Sequence, residues 1–382
     1  MSFLLDGVMA VTWQQIVMYV VGIVLIWLAV KKEYEPSLLL PMGFGAILVN
    51  LPFSGVIDQV VQGKVEAAGI IQWLFESGIE ASEAMPILLF IGIGAMIDFG
   101  PLLSQPVLFL FGAAAQFGIF AAIVIACLMD FDLKDAASIG IIGAADGPTS
   151  ILVSQVLDSN YMGPIAVAAY SYMALVPIIQ PFAIKLVTTH KERSIHMEYN
   201  PKSVNKALRI SFPIAVTIIV GFISPQSVAL VGFLMFGNLL RECGVLNSLS
   251  QAAQNELANI ITLLLGITIS FSMRADQFVN PATIMIMALG LVAFVFDTIG
   301  GVIFAKIVNV FLKMAGKKPV NPMIGGCGIS AFPMSSRVVQ KLAAQEEPGN
   351  IILMQAAGTN VSGQVASVIA GGLVISVVTQ YL

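Results

Sequence analysis

Apolar residues recur in runs of about 20 along most of the chain, and short polar stretches separate the runs. A run of that length forms an α-helix that can cross the ~30 Å hydrocarbon layer of a bilayer. The pattern predicts an all-α polytopic membrane protein with about 10–12 membrane segments. The predicted segments are 14–30, 37–52, 83–98, 106–129, 135–157, 162–188, 209–223, 226–240, 256–272, 281–312, 321–343 and 350–381.

Composition agrees with a membrane protein and excludes an ordinary soluble enzyme. Of 382 residues, 58% are apolar and 10% are Asp, Glu, Lys or Arg, whereas soluble domains carry about 25% charged residues. The net charge of −4 and the lack of a basic tract argue against a nucleic-acid partner. The three cysteines lie far apart, so neither a disulfide framework nor a zinc site is indicated.

Charged residues predict the orientation of the segments, because Lys and Arg resist translocation. Basic clusters at 31–32, 185–209 and 313–318 are expected in the cytoplasm, and the acidic stretches 58–83 and 130–135 outside. The first two basic clusters can share one side only if one segment between them does not cross in full.

The candidate for that segment is 135–157, whose centre GIIGAADGPTS is rich in Gly and Pro. A helix broken at membrane depth leaves backbone groups unpaired, which is tolerated only where they are buried in protein or line a polar cavity. The break therefore indicates a site, and a Pro-kinked packing helix is the alternative.

A second segment repeats this broken one. IGIIGAADGPTSILVSQVL (139–157) and IGGCGISAFPMSSRVVQKL (324–342) share eight identities in nineteen positions at a shift of 185. Broken helices at corresponding positions of two halves point to a transporter fold whose ion site lies at the repeat interface near mid-membrane. The first copy follows an acidic loop and the second a basic one, so we expect two inverted-topology repeats, with both chain ends outside.

This organisation divides the chain into five predicted regions. They are N-terminal membrane segments with an acidic external loop (1–84), the first repeat with its broken helix 135–157 (85–190), a cytoplasmic basic loop (191–208), linking membrane segments (209–254), and the second repeat with its broken helix 321–343 (255–382).

Asp146 is the central candidate for function. A carboxylate near the middle of a bilayer costs at least ~2.5–3.5 kcal/mol unless it is paired. Gly147 and Pro148 interrupt the helix beside it, so backbone carbonyls are expected next to the negative charge. Hard cations bind such oxygen groups, and a neutral Asp that is hydrogen-bonded inside a helix bundle is the alternative.

Neutral oxygen donors accompany the second broken segment and the segment after it. They are Asn321, Ser330, Ser335, Ser336, Thr359 and Asn360. One carboxylate with neutral oxygens suits a monovalent cation, and the prediction is sodium, with no transition metal. For Asn321, a helix N-cap before Pro322 is an equal alternative.

Three further polar side chains lie in apolar surroundings. Arg337 suits bidentate recognition of a substrate carboxylate, and its alternative is to reach the cytoplasmic surface. Tyr172 is expected either to donate a proton or to cap a buried hydrogen bond. Asp297 is a weaker candidate for the ion path, and its spacing from Lys306 does not favour an ion pair between them.

Long motifs resemble the β subunit of the biotin-dependent sodium-translocating decarboxylases, which act on oxaloacetate, methylmalonyl-CoA, glutaconyl-CoA or malonate. The motifs are GIIGAADGPTSI, AAYSYMALVP, KPVNPMIGGCGISAFPMSSRV, LMQAAGTNVSGQVAS and GNLLRECGVL, and the resemblance runs from about residue 14 through nearly the whole chain. It implies a multi-pass protein of the bacterial inner (cytoplasmic) membrane. Such a protein decarboxylates carboxybiotin, consumes a proton from outside and moves sodium outward.

The resemblance also implies roles for individual residues. By motif match, Asp146 resembles the essential sodium ligand, Tyr172 the residue of the proton step, and Arg337 a residue near the carboxybiotin. The same match implies that Asn321, Gly325, Ser330 and Asn360 belong to the sodium-binding residues.

The resemblance further implies partners. FLKMAGKK around Lys313 lacks the Met on both sides of the lysine, so biotin is expected on a separate carrier subunit. The implied assembly adds a carboxyltransferase α subunit and a small single-span membrane subunit, with this chain as a trimer in the lipid bilayer. A sodium-coupled secondary transporter of a small carboxylate is the main alternative function, and a non-catalytic membrane anchor is the third.

Overall fold

The computed structural model describes residues 7–33, 36–61, 64–81, 84–197 and 204–381. Within these ranges the chain is helical apart from loops and one antiparallel hairpin of two short strands, β1 (Gln59–Val61) and β2 (Lys64–Ala67). The predicted all-α polytopic class is confirmed. Glu83 of the predicted acidic stretch and Lys202 of the predicted basic loop lie outside the described residues.

The helices follow the predicted apolar segments closely. In the N-terminal half they are α1 (Trp13–Lys32), α2 (Pro36–Val49), α3 (Ile70–Phe75), α4 (Ala84–Met96), α5 (Gly100–Ser104), α6 (Leu108–Ala115), α7 (Phe117–Leu128), α8 (Leu133–Gly140), α9 (Gly147–Val156) and α10 (Met162–Val187). They continue with α11 (His190–Arg193), α12 (Lys206–Ile223), α13 (Val228–Glu242), α14 (Asn247–Ala252), α15 (Ala258–Ile269), α16 (Ala275–Phe278), α17 (Pro281–Met314), α18 (Met334–Glu346) and α19 (Leu353–Tyr381).

Irregular helical turns join several of these elements. Turns of 3₁₀ type cover Ile141–Ala144, Pro225–Ser227, Ser270–Met273 and Pro322–Gly328, and π-type turns cover Glu76–Glu80 and Ala253–Leu257. Single π-turns inside helices occur frequently at functional sites.

Six described helical stretches are long and apolar enough to cross a membrane. They are Trp13–Lys32, Leu108–Leu128, Lys206–Ile223, Asn247–Met273, Pro281–Met314 and Leu353–Tyr381. The number rises to eight if each of two bent pairs counts as one span, namely Ile70–Glu80 with Ala84–Met96 and the two parts of α10. Shorter apolar helices such as α2 account for other predicted segments, and the total of 10–12 stays a prediction.

The bend of α10 follows from its prolines. Its parts Met162–Met173 and Leu175–Val187 meet at 72°, and Pro177 lies within the helix. A proline ring clashes with the carbonyl four residues earlier and removes one backbone donor. The bend therefore falls at Met173, beside the first broken segment.

The two halves of the chain pack against each other. Helix α6 of the first half packs against the second broken segment and α19, whereas α17 of the second half packs against α7, the first broken segment and α10. Gln116 donates to the carbonyl of Gly328 at 3.2 Å, and Asp297 Oδ1 accepts the N–H of Ile119 at 3.1 Å. Each broken segment is thus packed on helices of the other half, and the inverted relation of the halves stays a prediction.

Ion pairs join α11 to α17 and α18. Arg193 contacts Glu346 at 2.9 Å, and Lys306 contacts Glu192 at 3.0 Å. Lys306 is therefore paired away from Asp297, as its spacing predicted. Glu192 and Arg193 lie at the start of the predicted basic loop, so these pairs place that part of the loop against α17 and the C-terminal end of α18.

Candidate functional site

The first broken segment is interrupted at Ala145. This residue has φ 52°, in the left-handed region, which an L-residue adopts at a cost of roughly 1–2 kcal/mol. Asp146 then caps α9, and its Oδ1 accepts the N–H of Thr149 at 3.4 Å. The carbonyl of Ala144, freed by the break, accepts the N–H of Ser330 at 2.8 Å. The two broken segments are thus joined through their backbones.

The Asp146 carboxylate is buried, with 3% of the residue exposed. Its Oδ2 lies within hydrogen-bond distance of four donors from three parts of the chain. They are Thr149 Oγ1 at 2.7 Å, Ser367 Oγ at 2.9 Å, Ser330 Oγ at 3.1 Å and Gln364 Nε2 at 3.4 Å. We call these five residues the Asp146 cluster. Hydrogen bonds to an ionised acceptor are the strong ones, so the cluster offsets part of the cost of burying a carboxylate.

Two further buried oxygens, on neighbouring residues of α19, lack partners in the described structure. Asn360 donates through Nδ2 to the carbonyls of Ile329 at 2.8 Å and Cys327 at 3.3 Å. Its Oδ1 is buried without a hydrogen-bond partner in the described structure, as is Oγ1 of Thr359. A buried acceptor with no partner is unfavourable, and both oxygens fit a site for a cation that binds oxygen. Asn360 lies on α19, one helical turn before Gln364 of the cluster.

Arg337 lines a cavity of about 280 Å³. One wall comes from α2, α4 and the stretch around the π-type turn Ala253–Leu257, and the other from α10 and residues 331–337. The polar lining residues are Ser37, Tyr170, Gln254, Asn259, Thr262 and Arg337. We call this space the Arg337 cavity. The guanidinium is exposed and has no hydrogen-bond or ion-pair partner among the described residues.

One segment connects the cavity to the carboxylate. Ser330 donates to Asp146, and Arg337 lines the cavity; a short turn and the start of α18, residues 331–336, lie between them. A ligand held by Arg337 and an ion held beside Asp146 would therefore touch the same short piece of chain.

Other predicted residues lie apart from the Asp146 cluster. Tyr172 donates to the carbonyl of Met287. Asn321 donates to the carbonyls of Arg193 and Ile195 at 2.7 and 2.9 Å, and it caps the turn at Pro322. This is the alternative that the sequence left open for Asn321.

Gly325 makes a close backbone contact, and the predicted residues Ser335 and Ser336 form hydrogen bonds outside the Asp146 cluster. A Cβ on Gly325 would overlap the carbonyl oxygen of Gly301, so this glycine allows α17 to approach the second broken segment. Ser335 Oγ accepts from Gln180 Nε2 at 2.5 Å, and Ser336 donates to the carbonyl of Pro333 at 2.8 Å.

Asp297 is buried between the halves. Its Oδ1 accepts the N–H of Ile119 in the first turn of α7, and its Oδ2 has no partner among the described residues. A carboxylate at a helix N-terminus is stabilised by the helix dipole. The structure therefore places Asp297 as a cap supplied by a neighbouring helix, outside the Asp146 cluster.

Sequence reasoning missed Thr149, Gln364 and Ser367. Asn360, Gln364 and Ser367 are spaced by four and three residues, which puts three polar side chains on one face of α19 within an apolar run. That periodicity was the available signal. Tyr170 lines the Arg337 cavity. Nothing in the sequence distinguishes it from Tyr172, which lies two residues away in the same motif.

Fold and site together define a polytopic membrane protein with a single-carboxylate, oxygen-rich site between two interrupted helices, an arrangement found in ion-coupled transport proteins. A family model described as "Na+-transporting oxaloacetate decarboxylase beta subunit" matches residues 14–378. The chain is 45% identical to the methylmalonyl-CoA decarboxylase subunit beta of Propionigenium modestum, over 94% of each chain.

Two other relatives match at similar length. The glutaconyl-CoA decarboxylase subunit beta of Acidaminococcus fermentans is 44% identical over 98% of this chain and 96% of its own. The probable oxaloacetate decarboxylase beta chain of Vibrio cholerae is 41% identical over 97% of both. The chain therefore belongs to the family of β subunits of the sodium-transporting, biotin-dependent decarboxylases, which confirms the resemblance drawn from its motifs.

Proposed function

We propose that this chain binds sodium at the Asp146 cluster and decarboxylates carboxybiotin held in the Arg337 cavity. It consumes one proton from outside and moves sodium outward across the bacterial inner membrane. Biotin is carried by a partner subunit, and a carboxyltransferase α subunit loads it. A small single-span subunit and two further copies of this chain complete the assembly. The β-subunit family to which the chain belongs is consistent with this division of labour.

The donor set supports sodium as the transported ion. The site has one carboxylate, and its hydroxyls, together with the unpartnered oxygens of Asn360 and Thr359 on α19, are neutral candidate ligands. The hydroxyl groups that now donate to Asp146 can turn their lone pairs toward a bound cation. Sodium would then balance the buried charge, which otherwise requires a proton or hydrogen bonds.

The Arg337 cavity supports an anionic organic ligand. It combines an unpaired guanidinium with uncharged amide and hydroxyl groups on a largely apolar lining. A guanidinium binds a carboxylate through two parallel hydrogen bonds, and the amides suit a cyclic urea. Carboxybiotin presents both groups.

The single observation that carries the proposal is the short connection from Ser330 to Arg337. Arg337 and Ser330 lie at the two ends of the stretch 330–337, so loss of the carboxylate ligand from Arg337 and loss of the cation from Ser330 and Asp146 act on the same short piece of chain. Coupling requires that a proton and sodium compete for Asp146, so that discharge of the carboxylate accompanies release of sodium outward.

The test measures the decay of free carboxybiotin by the purified membrane complex as sodium is varied. We expect sodium to accelerate the decay, and Arg337→Met to remove that acceleration. Lys191→Met, which removes an exposed cation of the loop after α10, is the matched control and should behave as wild type. Decay that does not respond to sodium would contradict the proposal. Avidin should block sodium uptake by inverted vesicles, whereas a secondary carrier would be indifferent to avidin.

A further inference from the structure

Two tyrosines of α10 face opposite sides of the helix. Positions 170 and 172 are rotated by about 200° around the helix axis. Tyr172 packs with Leu289 and Ile286 of α17, and its hydroxyl donates to the carbonyl of Met287. Tyr170 packs with residues of α2, α4 and α15 and lines the Arg337 cavity. Of the two phenols, the structure therefore brings Tyr170 to the cavity.

The ring of Tyr170 also contacts the first broken segment. A Cβ on Gly147 would overlap the hydroxyl-bearing end of this ring, so only glycine at 147 leaves room for it. Gly147 follows Asp146 directly in the chain. Tyr170 thus forms a partition, with the Arg337 cavity on one side and the N-terminal turn of α9 on the other.

The hydroxyl oxygen of Tyr170 is buried and has no hydrogen-bond partner in the described structure. Buried tyrosine hydroxyls usually find a partner, and a phenol left without one is less favourable than a phenylalanine of the same shape. A purely structural role for this residue would thus be served better without the hydroxyl. A ligand oxygen that reaches from the cavity to the hydroxyl-bearing end of the ring would supply the missing partner.

We propose that the Tyr170 hydroxyl donates a hydrogen bond to the ureido oxygen of carboxybiotin while Arg337 holds the carboxylate. This inference rests on the proposed function and adds a catalytic residue to it. When the bond between the ureido nitrogen and the carboxylate carbon breaks, CO₂ leaves and the electron pair stays on the ureido group. The negative charge spreads onto the ureido oxygen until the nitrogen takes up the proton that the proposed function supplies. A donor placed on that oxygen stabilises the charge as it develops.

Tyr170→Phe tests the proposal, because it keeps the ring against Gly147 and removes only the oxygen. With free carboxybiotin and the purified complex, we expect the maximal decay rate to fall by about 10²–10³, the loss typical of one removed oxyanion donor. The carboxybiotin concentration at half-maximal rate should change little. Tyr161→Phe, the same chemical change at the start of α10, is the matched control.

The outcomes separate the two proposals. Sodium-dependent decay in the wild type with an equal maximal rate in Tyr170→Phe would overturn the role of Tyr170 and leave the proposed function intact. A loss that appears in Tyr172→Phe and not in Tyr170→Phe would overturn it as well. Decay that ignores sodium in the wild type would instead overturn the proposed function. Unfolding temperature is measured in parallel, and an unchanged or raised value in Tyr170→Phe with reduced turnover supports a catalytic hydroxyl.

Discussion

Ser330 meets the first broken segment twice, through its backbone N–H on the carbonyl of Ala144 at 2.8 Å and through its hydroxyl on Asp146 at 3.1 Å. The backbone bond fixes where the two broken segments touch. The side-chain bond places a second-half oxygen on the buried acid of the first half. An ion beside Asp146 would therefore be bound by both halves, and any movement of one half against the other would change its coordination.

Ser367→Ala should weaken sodium binding. The Ser367 hydroxyl lies 2.9 Å from Asp146 Oδ2 and is buried. We expect the sodium concentration at half-maximal carboxybiotin decay to rise by about tenfold, the equivalent of one hydrogen-bonding group. Ser376→Ala is the matched control, because among the described residues that serine donates only to the carbonyl of Gly372 in the same helix. An unchanged sodium dependence in Ser367→Ala would exclude Ser367 from the site.

Gly325→Ala should destabilise the protein. Its Cβ would overlap the carbonyl oxygen of Gly301, and overpacking of a close contact typically costs about 1–3 kcal/mol. The unfolding temperature in detergent measures the effect. Gly221→Ala provides the control, since a Cβ there would lie 3.5 Å from the nearest atom, a methyl of Val228. Equal unfolding temperatures for the two variants would contradict the close crossing of α17 and the second broken segment.

Apolar periodicity was sufficient to predict the fold class and most helix positions. The predicted segment 281–312 is α17, Pro281–Met314, and 162–188 is α10, Met162–Val187. Ends were less accurate where irregular turns extend a helix, as in Asn247–Met273, which begins nine residues before the predicted segment 256–272. Its N-terminal part is polar, so hydrophobicity gave no signal there.

The site was predictable where residue type alone implies a cost in the membrane. Asp146, Ser330 and Asn360 were named from the sequence, and the structure brings Asp146 and Ser330 into contact and Asn360 to the second break. Partners that depend on three-dimensional packing were missed. Tyr170 and Tyr172 project from opposite sides of α10, and a motif match does not show which of the two sides faces the cavity.

Glu192→Gln should lower stability at neutral pH and lose its effect in acid. Partial burial works to raise the pKa of Glu192, but hydrogen bonds from Thr189 and Lys306 outweigh it, so the pKa of this carboxyl lies below its ordinary value. The ionised Glu192 carboxylate therefore stabilises the folded protein above the unfolded-state pKa, and this stabilisation is lost as the pH falls through the folded-state pKa. We expect a loss of at most about 1 kcal/mol at neutral pH, as for a partly exposed ion pair.

Unfolding temperatures across the acid range check this dependence. The difference between wild type and Glu192→Gln should shrink as the pH falls. Glu256→Gln removes an exposed carboxylate that has no ion-pair partner in the described part of the chain, and it should show no comparable difference. A difference that grows in acid would show that the pKa of Glu192 is raised by folding.

Equilibrium binding of radioactive sodium to the purified protein shows directly whether Asp146 forms a sodium site. Asp146→Asn keeps the side-chain size and the Oδ1 acceptor for Thr149 while it removes the charge. We expect saturable sodium binding by the wild type and by Ser376→Ala, and loss of that binding in Asp146→Asn. Sodium binding by folded Asp146→Asn with the wild-type affinity would contradict a cation site built on Asp146.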